Sequence, residues 1–141
     1  MDLTLTLTVP QPPAEVFRCL KDVSSWWSKD YEGKSADPGD EFAIHHPGRH
    51  YSLQRLTEVI PDKKMVWSVI DSRLDWLRKD QTEWTGTRMI FEISTADGKT
   101  FLHFTHEGLR PEKECYDTCR SGWDMVIRDW LYHYITDSTA H

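Results

Sequence analysis

The sequence predicts an α+β fold: a curved antiparallel sheet of six to seven strands wrapped around a long C-terminal helix, with short helices after the first strand. Three observations carry this reading. In "DLTLTLTV", Leu3, Leu5, Leu7 and Val9 alternate with threonines, the period of a half-buried strand. From Trp27 to Glu107, short strand-like segments are divided by turn signals. Beyond Pro111, Tyr116, Cys119, Trp123, Val126, Ile127, Trp130, Leu131 and Tyr134 recur every three or four residues. An apolar stripe that heavy needs a broad sheet to cover it.

The elements follow in order. Pro10, Pro12 and Pro13 end the first strand and suit the opening turn of a helix, where a missing N–H costs nothing. Val16, Phe17, Leu20 and Val23 have helical spacing and lead into Trp26 and Trp27. Turns are expected at "DPGD" (Asp37–Asp40), "HPG" (His46–Gly48), "PDKK" (Pro61–Lys64) and "ADGK" (Ala96–Lys99), the last containing Asp-Gly. Between them lie "EFAIHH", "HYSLQRLTEVI", "KMVWSVID", "EWTGTRMIFEIS" and "TFLHFTH", an antiparallel meander by their short connections. "SRLDWLRKDQTE" interrupts the meander with Leu74, Trp76 and Leu77. It reads as a loop whose apolar side chains fold back on the sheet, or as a lid or dimer contact. Pro111, Glu112 and Glu114 open the last helix, whose roughly 24 residues span on the order of 36 Å. No linker or repeat divides residues 1–141, so one domain is expected.

Composition narrows the function classes. A net charge of -6 and a pI near 5.6 leave no basic footprint for nucleic acid. No apolar run approaches a membrane span and no leader pattern opens the chain, so a cytoplasmic protein is expected. Cys19, Cys115 and Cys119 form no disulfide framework, and Cys115 and Cys119, four apart, are expected as free thiols. His45, His46 and His50 lack the spacing of a metal site, and no nucleophile, phosphate or dinucleotide fingerprint is present. No metal or other cofactor is therefore expected. Seven tryptophans in 141 residues fill a core or line a ligand cavity; composition does not separate the two.

Strand parity assigns faces. In "TFLHFTH", Leu102, Phe104 and His106 share one face, and Phe101, His103 and Thr105 the other. His106 is then inside and His103 outside, so they cannot share a metal. An inward His106 either satisfies a structural hydrogen bond or orients a ligand. Phe42, Ile44 and His46 share a face, as do Met89, Phe91 and Ile93. Tyr51, Leu53, Arg55, Thr57 and Val59 share a parity, which leaves Arg55 either beside apolar neighbours and a ligand anion, or turned to solvent by a one-residue slip. Trp67, Trp123 and Trp130 are candidates to line the space between sheet and helix.

Six segments in order, "VPQPPAEVFRCL", "SSWW", "EVIPDKKMVW", "WTGTRMIFEI", "GKTFLHFTHEGL" and "SGWDMVIRDWLYHYI", resemble the helix-grip, START-like (SRPBCC) superfamily. Within it they are similar to the branch of the activator of the ninety-kilodalton heat-shock-protein ATPase. The markers are Trp84-Thr85-Gly86-Thr87, Thr105-His106 before Gly108-Leu109, and Gly122-Trp123. The resemblance implies a cavity between sheet and helix, in a superfamily that includes lipid carriers, hormone receptors and aromatase/cyclases. A small apolar or aromatic ligand there would meet His106, Arg55, Trp67, Phe91, Phe104, Trp123 and Trp130. The alternatives are a cyclase- or hydratase-like enzyme using the same cavity and His106, or a chaperone-associated interaction domain. The eukaryotic co-chaperone carries an additional N-terminal domain, whereas this chain opens at its first strand, so the chaperone partnership ranks last. A monomer or homodimer fits the pattern.

Overall fold

The computed structural model describes residues 2–46 and 50–138. Strand β1 (Leu3–Val9) is followed by helices α1 (Pro13–Lys21) and α2 (Val23–Trp26). Six further strands follow: β2 (Tyr31–Gly33), β3 (Glu41–His46), β4 (His50–Ile60), β5 (Lys64–Leu74), β6 (Arg88–Ala96) and β7 (Lys99–Glu107). They form one antiparallel sheet in the order β1-β7-β6-β5-β4-β3-β2, curved around the C-terminal helix. Chain order is kept except that β1 closes onto β7, pairing Leu3 with His106 and Leu7 with Leu102.

Local chemistry accounts for the turns. Asp97 and Gly98 both have positive φ, 53° and 75°, as a two-residue type I′ hairpin requires. Asp40 turns its carboxylate back on the amides of Ala36 and Asp37, forming the Asp37–Asp40 turn. The expected "HPG" turn includes residues outside those described, as does the side chain of His46.

The concave face carries the core. Leu3, Leu5 and Leu7 of β1, Leu102 and Phe104 of β7, and Met89 and Phe91 of β6 are buried, as alternation predicts. In β4, Arg55 takes the second of its two expected placements, turned to solvent. Ser52, Gln54 and Leu56 face inward, and Arg55 is exposed on the convex side beside Glu41, with Nε donating to the carboxylate at 2.7 Å. Two register shifts interrupt the β4–β5 pairing. One lies between Leu53 and Gln54 opposite Ile70, the other at Thr57 between Leu56 and Glu58. An extra residue on one strand resets which face follows it, so Leu56 and, three residues on, Val59 both pack on the core.

The C-terminal helix also departs from simple periodicity. It runs as α3 (Tyr116–Trp123), a π-helical segment (Asp124–Leu131) and α4 (Tyr132–Ser138). The i→i+5 bonding of a π segment widens the repeat. The buried positions become Cys119, Trp123, Val126, Ile127, Leu131 and Ile135, while Trp130 turns out to the surface at 36% exposure. A second correction concerns the cysteines. Cys115 and Cys119 are joined as a disulfide rather than left as thiols; their Cα atoms are 5.5 Å apart, one helical turn along the chain.

Candidate functional site

Where the wide end of the sheet meets the helix, a cavity of about 330 Å³ remains, within the range of small-ligand sites. Five tryptophans line it: Trp27 after α2, Trp76 and Trp84 from the β5–β6 connection, Trp123 from α3 and Trp130 from the π segment. His50 at the start of β4 and Gly122, Met125 and Val126 complete most of the wall, and no charged side chain contributes. On the far side of Trp27 and Trp130 lies a wider, open groove with Arg18, Lys29, His133 and Asp137 on its rim.

The β5–β6 connection is held over the cavity by reciprocal bonds to the start of the helix. The Glu83 carboxylate accepts the backbone N–H groups of Glu114 (3.2 Å) and Cys115 (2.9 Å). The Glu114 carboxylate accepts those of Arg78 and Lys79, each at 3.0 Å. Each acid satisfies amides that would otherwise lack partners at a helix or loop end. Leu74 and Leu77 fold back into the core, as expected of this loop, whereas Trp76 stays 39% exposed at the cavity mouth.

His106 organises the inner wall. It is fully buried, and both ring nitrogens are occupied. Trp123 Nε1–H donates to Nδ1 at 3.0 Å, and Nε2 meets Thr87 Oγ1 at 2.8 Å. Thr87 spends its own proton on the Trp84 carbonyl at 2.5 Å. An indole N–H can only donate, and a hydroxyl has one proton. The imidazole is therefore the neutral Nε2–H tautomer, in a relay from Trp123 through His106 and Thr87 to Trp84. Burial pushes its pKa down to about 3, against a smaller opposing pull from the Asp2 carboxylate. Of the two roles open to an inward His106, the geometry supplies the structural one. It fixes Trp84 and Trp123, which stack at 5.7 Å with planes 8° apart. The Trp84 indole N–H points at the sulfurs of Cys119 (3.3 Å) and Cys115 (3.4 Å).

Of the residues expected at the site, Trp123 and Trp130 reach the cavity, and His106 stands directly behind Trp123. Trp67, Phe91 and Phe104 are fully buried beneath it, in ring contact at 4.7 Å (Trp67–Phe91) and 5.0 Å (Phe91–Phe104). Arg55 is on the opposite side of the sheet. Sequence reasoning did not assign Trp27, Trp84 or His50 to the site. "SSWW" and "WTGT" were visible as motifs, but periodicity carries no information about side chains outside strands and helices. His50 Nε2 and Ser52 Oγ lie 2.7 Å apart, which ties the wall to the inner face of β4.

Among the described residues no group of three or more His, Cys, Asp or Glu side chains is placed to hold a metal, and no helix is long and apolar enough to cross a membrane.

Solved structures share this architecture. One is the dimeric Aha1 from Colwellia psychrerythraea, with TM-score 0.77, 19% identity and 96% of each chain covered. Another is protein MLL2253 from Mesorhizobium loti, with TM-score 0.73, 18% identity and coverage of 96% of this chain and 98% of that one. A third is PFC0360w, an HSP90 activator from Plasmodium falciparum, with TM-score 0.66, 19% identity and coverage of 99% and 96%. At these identities the likeness is one of fold. No functionally curated protein matches the chain. The family described as Activator of Hsp90 ATPase homolog 1-like protein matches residues 10–136, and the chain belongs to that family.

Proposed function

We propose that this protein binds a small apolar or aromatic molecule in the cavity between the sheet and the C-terminal helix. The observation that supports it most is the convergence of five tryptophans on an uncharged space of about 330 Å³. Flat rings contribute large contact area at little entropic cost, and the absence of charge favours a neutral ligand. The cyclase- or hydratase-like alternative relied on His106 as acid or base. With both its nitrogens engaged and its charged form disfavoured, that residue holds the wall and is not available as the acid or base.

The test is a titration with naphthalene- and indole-class probes, followed through the tryptophan indole N–H resonances. Saturable shifts at Trp84 and Trp123, lost in Gly122→Phe, are expected. An added Cβ at Gly122 meets no atom within 4 Å, so a phenyl ring there fills the cavity. Absence of any saturable shift at millimolar probe overturns the reading. Native mass spectrometry against the denatured mass then looks for a co-purifying ligand.

A second reading draws on Trp76, Met125 and Trp130, 39%, 47% and 36% exposed around the same mouth. Exposed apolar clusters of this kind mark contact surfaces, and the similar proteins include a dimer and an HSP90 activator. Here the mouth would dock a second copy or a chaperone. Concentration-dependent mass that falls in Trp76→Ser supports the second copy; a monomer at all concentrations removes it.

A further inference from the structure

Beneath the cavity, the concave face holds polar atoms without partners. Gln54 on β4 is completely buried, and neither its amide oxygen nor its amide nitrogen meets a hydrogen-bond partner. The indole Nε1 of Trp67 on β5 is in the same condition. The two residues are neighbours in the sheet. Gln54 lies opposite Phe42 on β3 and opposite Val69 on β5, and Val69 is two residues from Trp67 on the same face. The Phe42 ring meets Trp67 edge-on at 4.9 Å. Their apolar surroundings, Phe42, Ile44, Leu56 and Val69, are buried and supply no polar compensation. Buried groups of this kind are rare in folded proteins because each lost bond is destabilising. A leucine at position 54 would avoid the loss altogether, so the glutamine calls for a reason beyond packing.

Trp27 connects Trp67 to the cavity wall. It lines the cavity and stacks against Trp67 with centroids 6.1 Å apart and planes 5° from parallel.

We propose that Gln54 and Trp67 form the polar end of the ligand site, reached past Trp27, and that they select a ligand bearing a neutral carboxamide-like group. This rests on the ligand-binding reading above. The chemistry follows from the atoms present. Gln54 offers one acceptor oxygen and an NH2 donor, and Trp67 offers a further donor. A carboxamide answers both, its oxygen taking N–H groups from the protein and its own N–H going to the Gln54 oxygen. A carboxylate or ammonium would have to leave water with no opposite charge to meet it.

The experiment compares 2-naphthamide with 2-isopropenylnaphthalene, which has the same shape without polar atoms. Affinities are read from indole N–H shifts in the wild-type protein, Gln54→Leu and Trp67→Phe, with Gln54→Met replacing the first if it does not fold. The expected result is a preference of about tenfold for the amide, the equivalent of roughly 1.4 kcal/mol, together with a shift of the Trp67 indole N–H. In Gln54→Leu the preference falls to less than about twofold while the hydrocarbon binds as before. Equal binding of the two probes to the wild type, or a preference that survives Gln54→Leu, overturns the inference and leaves the ligand reading intact. Failure of both probes to bind overturns the ligand reading and the inference with it.

Discussion

Trp123 donates its indole N–H to Nδ1 of His106 at 3.0 Å, so a cavity wall depends on the protonation state of a residue the cavity never touches. Protonating Nδ1 would remove the acceptor and place a charge in the core.

The first prediction is acid lability. The folded pKa of His106 is about 3, below the free value near 6.5. As pH falls below about 6.5, the unfolded chain takes up a proton that the folded chain refuses. The stability this residue contributes is therefore complete above that pH and is lost progressively toward pH 3. Between pH 7.5 and 5 the loss is about 2 kcal/mol. Urea titrations at the two pH values measure it. In His106→Gln this pH-dependent component should vanish; an unchanged pH slope would assign the lability to other groups.

Thr87→Val removes the acceptor for His106 Nε2–H and the donor to the Trp84 carbonyl. A cost of about 1–3 kcal/mol is expected from the buried groups left unpaired. Gly108→Ala should disturb the same relay from the other side. Its φ is +97°, and a Cβ there would stand 3.0 Å from the Thr87 methyl. Thermal melts of both variants check this, with Ser121→Ala on the exposed helix face as a neutral control.

Gly122 lies in a helix with open space where its Cβ would be. Gly122→Ala should stabilise the protein by up to about 1 kcal/mol through helix propensity alone. Because the position lines the cavity, probe affinity should change independently of that gain. Denaturant midpoints and probe titrations on the same sample separate the two effects.

Glu83→Ala should free the amides of Glu114 and Cys115, a loss of the order of 1 kcal/mol by analogy with helix caps. Hydrogen exchange should rise at the helix start and across residues 75–83. Faster exchange at the helix start alone would mean that the loop is held by Leu74 and Leu77 and not by the acids.

Reduction of the Cys115–Cys119 bond should cost no more than about 2 kcal/mol, because the loop it closes is short. It should alter the fluorescence of Trp84, whose N–H faces both sulfurs. Alkylation before and after reduction, read by intact mass, checks the bond: two additional thiols should become reactive.

The parts legible in the sequence were those with an unbroken period. β1 and β7 alternate without interruption, and the inward placement of His106 followed from Leu102 and Phe104. In β4 parity left the face of Arg55 open, because polar residues stand on both sides of the strand, and the two bulges of the β4–β5 pair, at Ile70 and at Thr57, leave no compositional mark. Leu56 and Val59, three apart and both inward, are the trace of the second. Trp130 reaches the cavity as expected but at its exposed mouth, a difference the spacing 123, 126, 127, 130, 131 does not show, since it fits an α-helix as well as it fits the start of a π segment. Gln54 was invisible as a site residue until its face was known. Trp27 and Trp84 lie outside the regular elements, where only tertiary structure says what a side chain meets.

The π segment has a consequence for how this helix tolerates change in length. An α-helix turns about 100° per residue, so deleting one residue ordinarily throws everything downstream onto the wrong side. Here the segment Asp124–Leu131 already accommodates surplus chain, since each residue of a wider π turn rotates through less than about 100°. The positions upstream of it, Cys119 and Trp123, line the cavity, and Ile135 downstream of it is buried in the core. A single deletion inside it would convert the segment toward α geometry and carry Trp130 from the mouth toward the interior. Chain length at this one place thus acts as a tuning variable for how open the mouth is, adjustable without altering the identity of any lining residue.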